Sequence, residues 1–140
     1  MAPAARYLDT SPDGARVNDP VPPKIKRFID ANISSVEQLE LLLLLRRTKT
    51  RSWTAQSASL ELRTSPQSIA TRIAELAVQG LVKIDGDEFT YAASSGTDGT
   101  IGELERVYGT YRTRVITMIF DKPPRQIRDF ADAFRLRRDQ

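Results

Sequence analysis

The acidic run Asp85-Gly86-Asp87-Glu88 holds the side chains best placed along the sequence for metal chemistry. Carboxylate oxygens bind hard cations such as Ca²⁺, yet these three do not have the spacing of an EF-hand loop. The chain has no histidine and no cysteine, which excludes zinc sites built on them and Ser–His or Cys–His nucleophile pairs. It also has no Gly-rich phosphate loop and no Gly-x-Ser-x-Gly motif. We therefore expect a binding protein without cofactor or metal, not an enzyme.

Basic side chains are the second group with a chemical role, because Lys and Arg bind phosphate. They number 21 against 18 acidic residues, a net charge of +3. Residues 101–140 hold nine of the basic residues and six of the acidic ones, so the excess lies towards the C-terminus. Four cations also follow a leucine-rich run closely: Arg46, Arg47, Lys49 and Arg51. Such groups bind nucleic acid when they share a face, which makes nucleic acid a candidate partner.

The chain divides into three regions by composition. Residues 1–23 contain five of the eight prolines, which predicts an extended or disordered, dispensable arm. Residues 24–93 alternate helical apolar periodicity with two short strand-like runs, which predicts one mainly helical domain. Residues 93–100 are typical of a small-residue linker, and residues 101–140 predict two further helices.

Two helices are predicted in the first part of the domain. Ile25, Phe28 and Ile29 fall at helical spacing between Lys24 and Asn32. The run Ser34–Glu37 is typical of a capping box in which Glu37 reaches back to the start of a helix. That helix continues to about Arg47, and its leucines at 39 and 41–45 cover more than one face. A helix that is apolar nearly all round is buried, here most simply in the core.

A helix, a turn, a helix and a hairpin are predicted between residues 52 and 93. An extended piece at Ser52–Thr54 precedes a helix that ends near Leu62. Ser65-Pro66 is a typical helix start, and Gly80 is placed to end that helix in a left-handed conformation. The runs 81–84 and 89–92 predict two strands joined around the Asp85–Asp87 turn. The expected fold class is thus mainly α with a small β-hairpin.

Residues 53–82, WTAQSASLELRTSPQSIATRIAELAVQGLV, resemble the helix-turn-helix core of MarR-like bacterial transcriptional regulators. The shared features are the Trp-Thr opening, the Ser-Pro helix start and the ending Leu-x-x-x-Gly-Leu-Val. Arg63 departs from the pattern, since glycine is common at that position of the turn. The resemblance implies a winged helix-turn-helix whose second helix, residues 66–79, lies in the DNA major groove. It also implies that the face of this helix opposite the core contacts DNA, through Gln67, Ser68, Thr71 and Arg72. The cations available to neutralise phosphate near it complete the expected DNA-contacting set: Arg46, Arg47, Lys49 and Arg51.

A second apolar pattern predicts how the chain associates. Six residues in 101–120 follow spacings of 3, 4, 3, 4 and 3, which is a coiled-coil-like seam: Ile101, Leu104, Tyr108, Tyr111, Val115 and Met118. We expect one continuous helix over 101–120 and a homodimer formed through this seam. A last amphipathic helix is expected at 125–138. The ending FADAFRLRR resembles small bacterial proteins that carry a winged helix and have no characterised activity.

Two functions follow as hypotheses. The first is a dimeric transcriptional regulator that binds double-stranded DNA. The alternative is a winged helix that serves protein–protein contact, since the acidic run 85–88 would repel phosphate at the tip of the wing. No stretch reaches 18 apolar residues, so no membrane partner is expected. A chain without cysteine fits a reducing compartment, and we expect the cytoplasm.

Overall fold

The structure, a computed structural model, describes residues 19–121, and within them it is mainly helical with a small antiparallel sheet. The six helices are α1 (Pro23–Asn32), α2 (Val36–Arg47), α3 (Ala55–Leu62), α4 (Pro66–Val78), α5 (Ser95–Thr110) and α6 (Arg112–Phe120). The strands are β1 (Trp53–Thr54), β2 (Val82–Asp85) and β3 (Glu88–Tyr91). This confirms the predicted class of a mainly helical chain with a β-hairpin. The predicted helix at 125–138 and most of the arm lie outside the described residues.

The sheet has the order β1-β3-β2, with both pairs antiparallel. Its register places Trp53 opposite Phe89 and Val82 opposite Tyr91. The hairpin loop is Gly86-Asp87, between the paired residues Asp85 and Glu88. Gly86 has φ 67°, and a positive φ at the first loop position alone is the pattern of a type II′ turn. The predicted hairpin is therefore confirmed, and β1 adds a third strand to it.

Local capping explains where α3 and α4 begin and end. The Thr54 hydroxyl accepts from the Ser57 amide, and the Ser57 hydroxyl accepts from the Thr54 amide, which is a reciprocal capping box for α3. After α4, Gly80 has φ 77°, and the Leu81 amide donates to the Leu76 carbonyl. That bond and the one from Gly80 to Ala77 form a Schellman motif, as the predicted glycine cap requires.

The start of α2 differs from the prediction. Ser35 is the N-cap and accepts from the Gln38 amide at 3.0 Å. Gln38, not Glu37, reaches back, since its Oε1 accepts from the Ser34 amide at 2.6 Å. Gln38 occupies the third helical position, where a capping box places its Glu or Gln. Glu37 is one residue too early for that role, and its carboxylate is used elsewhere.

The hydrophobic core is built around α2. Its leucines at 39 and 41–45 are all buried, as the near-continuous apolar run predicts. Ile25 and Ile29 of α1 pack into the same core, and so do Ile101 and Val115 of α5 and α6. Residues of the two predicted regions, 24–93 and 101–140, therefore share one core.

The C-terminal helices require two corrections. The chain enters α5 at Ser95, within the predicted linker, and the Ser94 hydroxyl caps it by accepting from the Thr97 amide. The predicted single helix over 101–120 is broken at Tyr111, which has φ −122° and ψ 52°. Val115 and Ile119 of α6, which follow this break, also belong to the core.

The last residues of the predicted arm are packed, not extended into solvent. Val21 is 1% exposed and belongs to the core. The Asp19 carboxylate is 3% exposed and lies 2.6 Å from Lys26 Nζ and 2.8 Å from Arg114 Nη2. The predicted arm boundary at residue 23 is therefore too late, and removal of residues 1–22 would delete part of the fold.

Candidate nucleic-acid interface

The turn between α3 and α4 is three residues long and fixes where α4 begins. Arg63 ends α3 with φ 59° and ψ 50°, the left-handed conformation for which glycine is normally used. Ser65 then caps α4 by accepting from the Ser68 amide at 3.1 Å, and Pro66 occupies the first helical turn. The predicted helix start at Ser65-Pro66 is confirmed. The backbone of Arg63 shows why glycine would suit that position.

A carboxylate from α2 holds this turn in place. Glu37 accepts from the Thr64 hydroxyl at 2.5 Å and from the Ser68 hydroxyl, and Arg72 Nε lies 3.3 Å from Glu37 Oε1. We call Glu37, Thr64, Ser68 and Arg72 the Glu37 cluster. Burial by itself raises the Glu37 pKa, but the hydrogen bonds from Ser68 and Thr64 and the Arg72 charge outweigh it. The net pKa is therefore below the ordinary glutamate value, and the carboxylate stays ionised.

The Glu37 cluster divides the DNA-contacting residues expected on α4. Ser68 and Arg72 point towards α2, and Arg72 is only 22% exposed. Its Nη1 also lies 2.9 Å from Glu75 Oε1, so its charge is balanced by two carboxylates. The expectation that Ser68 and Arg72 face outward is thus wrong, because Glu37 is within reach of both. Gln67 and Thr71 are exposed.

The fully exposed positions of α4 carry no charged side chain. We call the surface that they form the α4 outer face, and after Pro66 it consists of the exposed positions Gln67, Ala70, Thr71, Ala74 and Val78. Ala70 and Ala74 are not among the DNA-contacting residues expected from the sequence. Residues 67, 70, 71, 74 and 78 are spaced so that they lie on one face of a helix. This spacing could have identified Ala70 and Ala74 from the sequence. The exposed residues are small or of moderate size, and Val78 is 84% exposed.

Three of the four expected cations before β1 are balanced by α5. Arg46 lies 3.1 Å from Asp98 and 3.0 Å from Glu105, and Arg47 lies 3.1 Å from Glu105. Lys49 Nζ is 3.6 Å from Asp98. A hydrogen bond from the Tyr91 hydroxyl lowers the Asp98 pKa, and Arg46 and Lys49 lower it further against the effect of burial. These cations tie α2 to α5 and offer little net charge to a phosphate.

Gly102 is what lets Arg46 lie against α5. A Cβ built at Gly102 would be 2.6 Å from Arg46 Nη2, closer than real carbon atoms come. Gly102 is buried by this guanidinium and lies between Asp98 and Glu105, one turn from each. A side chain at position 102 would therefore require the Arg46 guanidinium to shift from its present position.

Exposed cations do remain near the turn and the sheet. Arg51 stacks over the Trp53 ring at 3.8 Å from its centroid, and the Trp53 Nε1–H donates to Thr48 Oγ1 at 2.9 Å. Arg63 and Lys83 are exposed. Within residues 19–121, Arg51, Arg63 and Lys83 form no ion pair with a carboxylate. These three cations near the turn and the sheet can contact a phosphate without first breaking an ion pair.

The hairpin and the balance of charge act against strong phosphate binding. Asp85, Asp87 and Glu88 are all exposed. Residues 19–121 contain thirteen basic and thirteen acidic side chains, so the described part is neutral overall. The positive excess of the sequence lies in residues 122–140. Acidic groups near DNA reduce affinity by repulsion of phosphates.

The expected dimer seam is largely part of the chain's own core. Ile101, Leu104 and Val115 are fully buried, and Tyr108 is 5% exposed. Tyr111 is 44% exposed and Met118 is half-buried. The exposed seam that motivated the homodimer is therefore not present, and the dimer stays a prediction.

Tyr108 lines a groove of about 370 Å³ between α2 and α5. Its hydroxyl donates to Glu40 Oε2 at 2.9 Å, and Arg112 lies 2.8 Å from the same oxygen. Burial and the neighbouring Glu40 carboxylate raise the Tyr108 pKa to about 12. Glu40 and Arg112 balance each other across the groove, which leaves no unpaired charge there to select a ligand.

Comparisons with known proteins found no match among family models or among curated protein sequences. The resemblance of residues 53–82 to MarR-like regulators therefore rests on those residues alone. Across the described part of the chain, no helix combines the length and apolar character that crossing a membrane requires.

Proposed function

We propose that residues 24–93 form a winged helix-turn-helix that binds double-stranded DNA, with α4 in the major groove, and that the protein regulates transcription. The arrangement that carries the proposal is α3, a three-residue turn and α4, followed by a hairpin whose β3 pairs with β1. In helix-turn-helix proteins the N-terminal residues of the second helix contact base edges. α4 exposes Gln67, Ala70 and Thr71 in its first two turns. A cysteine-free chain suits the reducing cytoplasm, where such a regulator would act.

The cations proposed for phosphate contact are three that lie near the turn and the sheet and that form no ion pair within residues 19–121: Arg51, Arg63 and Lys83. Arg63 stands in the turn immediately before α4, and Arg51 and Lys83 belong to the adjoining sheet region. Each neutralised phosphate contributes about −0.9 to the slope of log affinity against log salt. Three contacts per chain therefore predict a slope of about −3, shallower than that of a strongly basic DNA-binding domain.

The direct test is a fluorescence anisotropy titration of the full chain against a labelled random-sequence duplex at several salt concentrations. We expect binding at low salt, with the shallow slope above. Arg63→Gly should reduce the magnitude of the slope by about 0.9, because one phosphate contact is lost. Arg106→Ala is the matched control, since Arg106 is an exposed arginine on α5, away from the turn. No binding to any duplex at low salt, by a correctly folded chain, would overturn the proposal.

The acidic hairpin provides a second test with the opposite sign. The double substitution Asp87→Asn and Glu88→Gln should strengthen binding to the random duplex, because two negative charges beside the phosphates are removed. Asp121→Asn removes one exposed charge at the end of α6 and should leave affinity unchanged. Equal affinity of the hairpin variant and the wild type would show that the hairpin does not approach DNA.

A protein-interaction role is the second candidate, and the electrostatics favour it specifically. The described part is neutral, its hairpin is acidic, and Ile84 beside the hairpin loop is 49% exposed. An acidic loop next to an exposed apolar side chain suits a basic protein surface better than a phosphate backbone. This candidate predicts the negative result in the same anisotropy titration.

A further inference from the structure

The α4 outer face differs from a typical DNA-reading surface in one respect. Guanine is most often read by an arginine or lysine that donates to its O6 and N7 atoms. The one cation on α4 is Arg72, and it is turned towards Glu37 and Glu75. The exposed positions of α4 carry an amide, a threonine and alanines, and no ionised group. The face has no side chain suited to guanine.

The same groups suit A·T pairs. In the major groove thymine presents its C5 methyl group, which makes apolar contact with alanine or with the methyl of threonine. Adenine presents a donor and an acceptor that a glutamine amide can pair with. Gln67 lies at the second position of α4, and Ala70, Thr71 and Ala74 follow on the same face. We infer that α4 reads A·T pairs, with Ala70, Thr71 and Ala74 against thymine methyls and Gln67 against adenine; the inference rests on the proposed DNA binding.

The hydroxyl and methyl groups of Thr71 have different roles in the proposed recognition of A·T pairs. The hydroxyl donates to the Gln67 carbonyl oxygen at 3.2 Å, within the helix. The proton of the hydroxyl is therefore already used within the helix, so Thr71 is not a free donor to a base. Its methyl group is the apolar part that we assign to a thymine methyl, like the alanines beside it.

The side-chain types of the α4 outer face also make it a poor match for a protein partner. Energetically dominant interface residues are mostly Trp, Tyr and Arg. Among its exposed side chains the α4 outer face has none of these, and its largest apolar group is Val78. Alanine and threonine bury little area in a protein interface, whereas a base edge offers them a methyl group of matching size.

The test removes the thymine methyl without changing base pairing. The full chain is titrated by anisotropy against labelled A·T-rich duplexes that contain thymine, and against the same duplexes with deoxyuridine in its place. Burial of a methyl-sized group is worth about 0.8 kcal/mol, or about fourfold in affinity. We expect a loss of about fourfold for each contacted methyl on the deoxyuridine duplex. The reciprocal duplexes, G·C-rich with cytosine or 5-methylcytosine, should show tighter binding when the methyl is present.

A matched pair of variants assigns the contact to α4. Thr71→Ser removes the side-chain methyl and keeps the hydroxyl, so it should weaken binding to thymine duplexes about fourfold. It should have no effect on deoxyuridine duplexes, where the partner methyl is already absent. Thr113→Ser makes the same change at an exposed position of α6 and should change neither affinity.

Each outcome is decisive. Equal affinity for thymine and deoxyuridine duplexes would overturn the A·T reading while the proposed DNA binding stands. A loss on deoxyuridine that is the same for wild type and Thr71→Ser would exclude Thr71 as a methyl contact and overturn the inference as stated. No binding to any of the four duplexes at low salt would overturn the proposed function itself, in favour of the protein-interaction role.

Discussion

Single residues set the geometry of the α3–α4 turn, and Arg63 does so under conformational strain. An L-residue in the left-handed region places its Cβ close to the following carbonyl oxygen, at a cost of about 1–2 kcal/mol. Arg63 has φ 59°, and among residues 19–121 it is the one non-glycine residue with positive φ. Under the proposed function this arginine serves phosphate binding at the expense of stability.

Arg63→Gly should therefore raise stability while it weakens DNA binding. We expect a gain of about 1 kcal/mol, or about 4–8 °C in Tm for a domain of this size, measured by thermal denaturation. The control is Arg106→Gly, where glycine enters the middle of α5 and should cost about 1 kcal/mol. A fall in the Tm of Arg63→Gly would contradict the left-handed assignment.

Side-chain partners at this scale were the hardest part to predict. The Ser65-Pro66 start and the Gly80 cap follow from local chemistry and were correct. The partners of Glu37 lie 27 and 31 residues away at Thr64 and Ser68, so no local pattern could reveal them. Arg72 was expected to face outward, and this expectation was wrong for the same reason. The exposure of Arg72 depends on where α2 packs, which no local pattern reveals.

At the scale of elements, α5 and α6 show how one apolar pattern supports two readings. A regular heptad spacing predicts one long helix with a seam for a second chain. The helix is broken at Tyr111, and Val115 beyond the break joins the core that contains Ile101 and Leu104. Spacing alone could not separate these outcomes, because it reports which residues are apolar and not which surface covers them.

Val115→Asp should consequently unfold the chain, and not merely separate two copies. A carboxylate at a fully buried apolar position should cost at least about 3 kcal/mol, seen as loss of cooperative denaturation in circular dichroism. Tyr111→Ser, at a position that is 44% exposed, should change stability by less than about 0.5 kcal/mol. A folded Val115→Asp chain that sediments at half the wild-type mass would restore the predicted seam dimer.

At the scale of the whole molecule, a buried carboxylate near the N-terminal end of the described part joins two helices that are distant in sequence. Asp19 joins Lys26 of α1 to Arg114 of α6, and it also accepts from the Val21 amide at 3.0 Å. Burial raises the Asp19 pKa, but the hydrogen bonds from Arg114, Lys26 and Val21 lower it far more. The net pKa in the folded chain is well below that of an exposed aspartate.

The stability of the protein should therefore fall in acid. Because the folded pKa of Asp19 is below its unfolded value, its contribution is complete above the unfolded pKa and is lost as pH falls from about 5 towards 1. Asp19→Asn should cost about 2 kcal/mol near neutral pH and progressively less in acid, as measured by urea denaturation across that range. Asp87→Asn, in the exposed hairpin, is the control and should be nearly neutral. A constant difference between Asp19→Asn and wild type at all pH values would contradict the assigned pKa.

Gly102 has a consequence for how freely this sequence can vary. Replacement of glycine by alanine inside a helix usually stabilises it by about 0.8–1 kcal/mol, and α5 offers open positions for that gain at Gly96 and Gly99. At Gly102 the added methyl would require the Arg46 guanidinium to shift from its present place beside Asp98 and Glu105, which reduces the gain. Gly99→Ala should raise the Tm, and Gly102→Ala should raise it less or lower it. Stabilisation by consensus or by design should thus leave position 102 as glycine while it improves the rest of the helix.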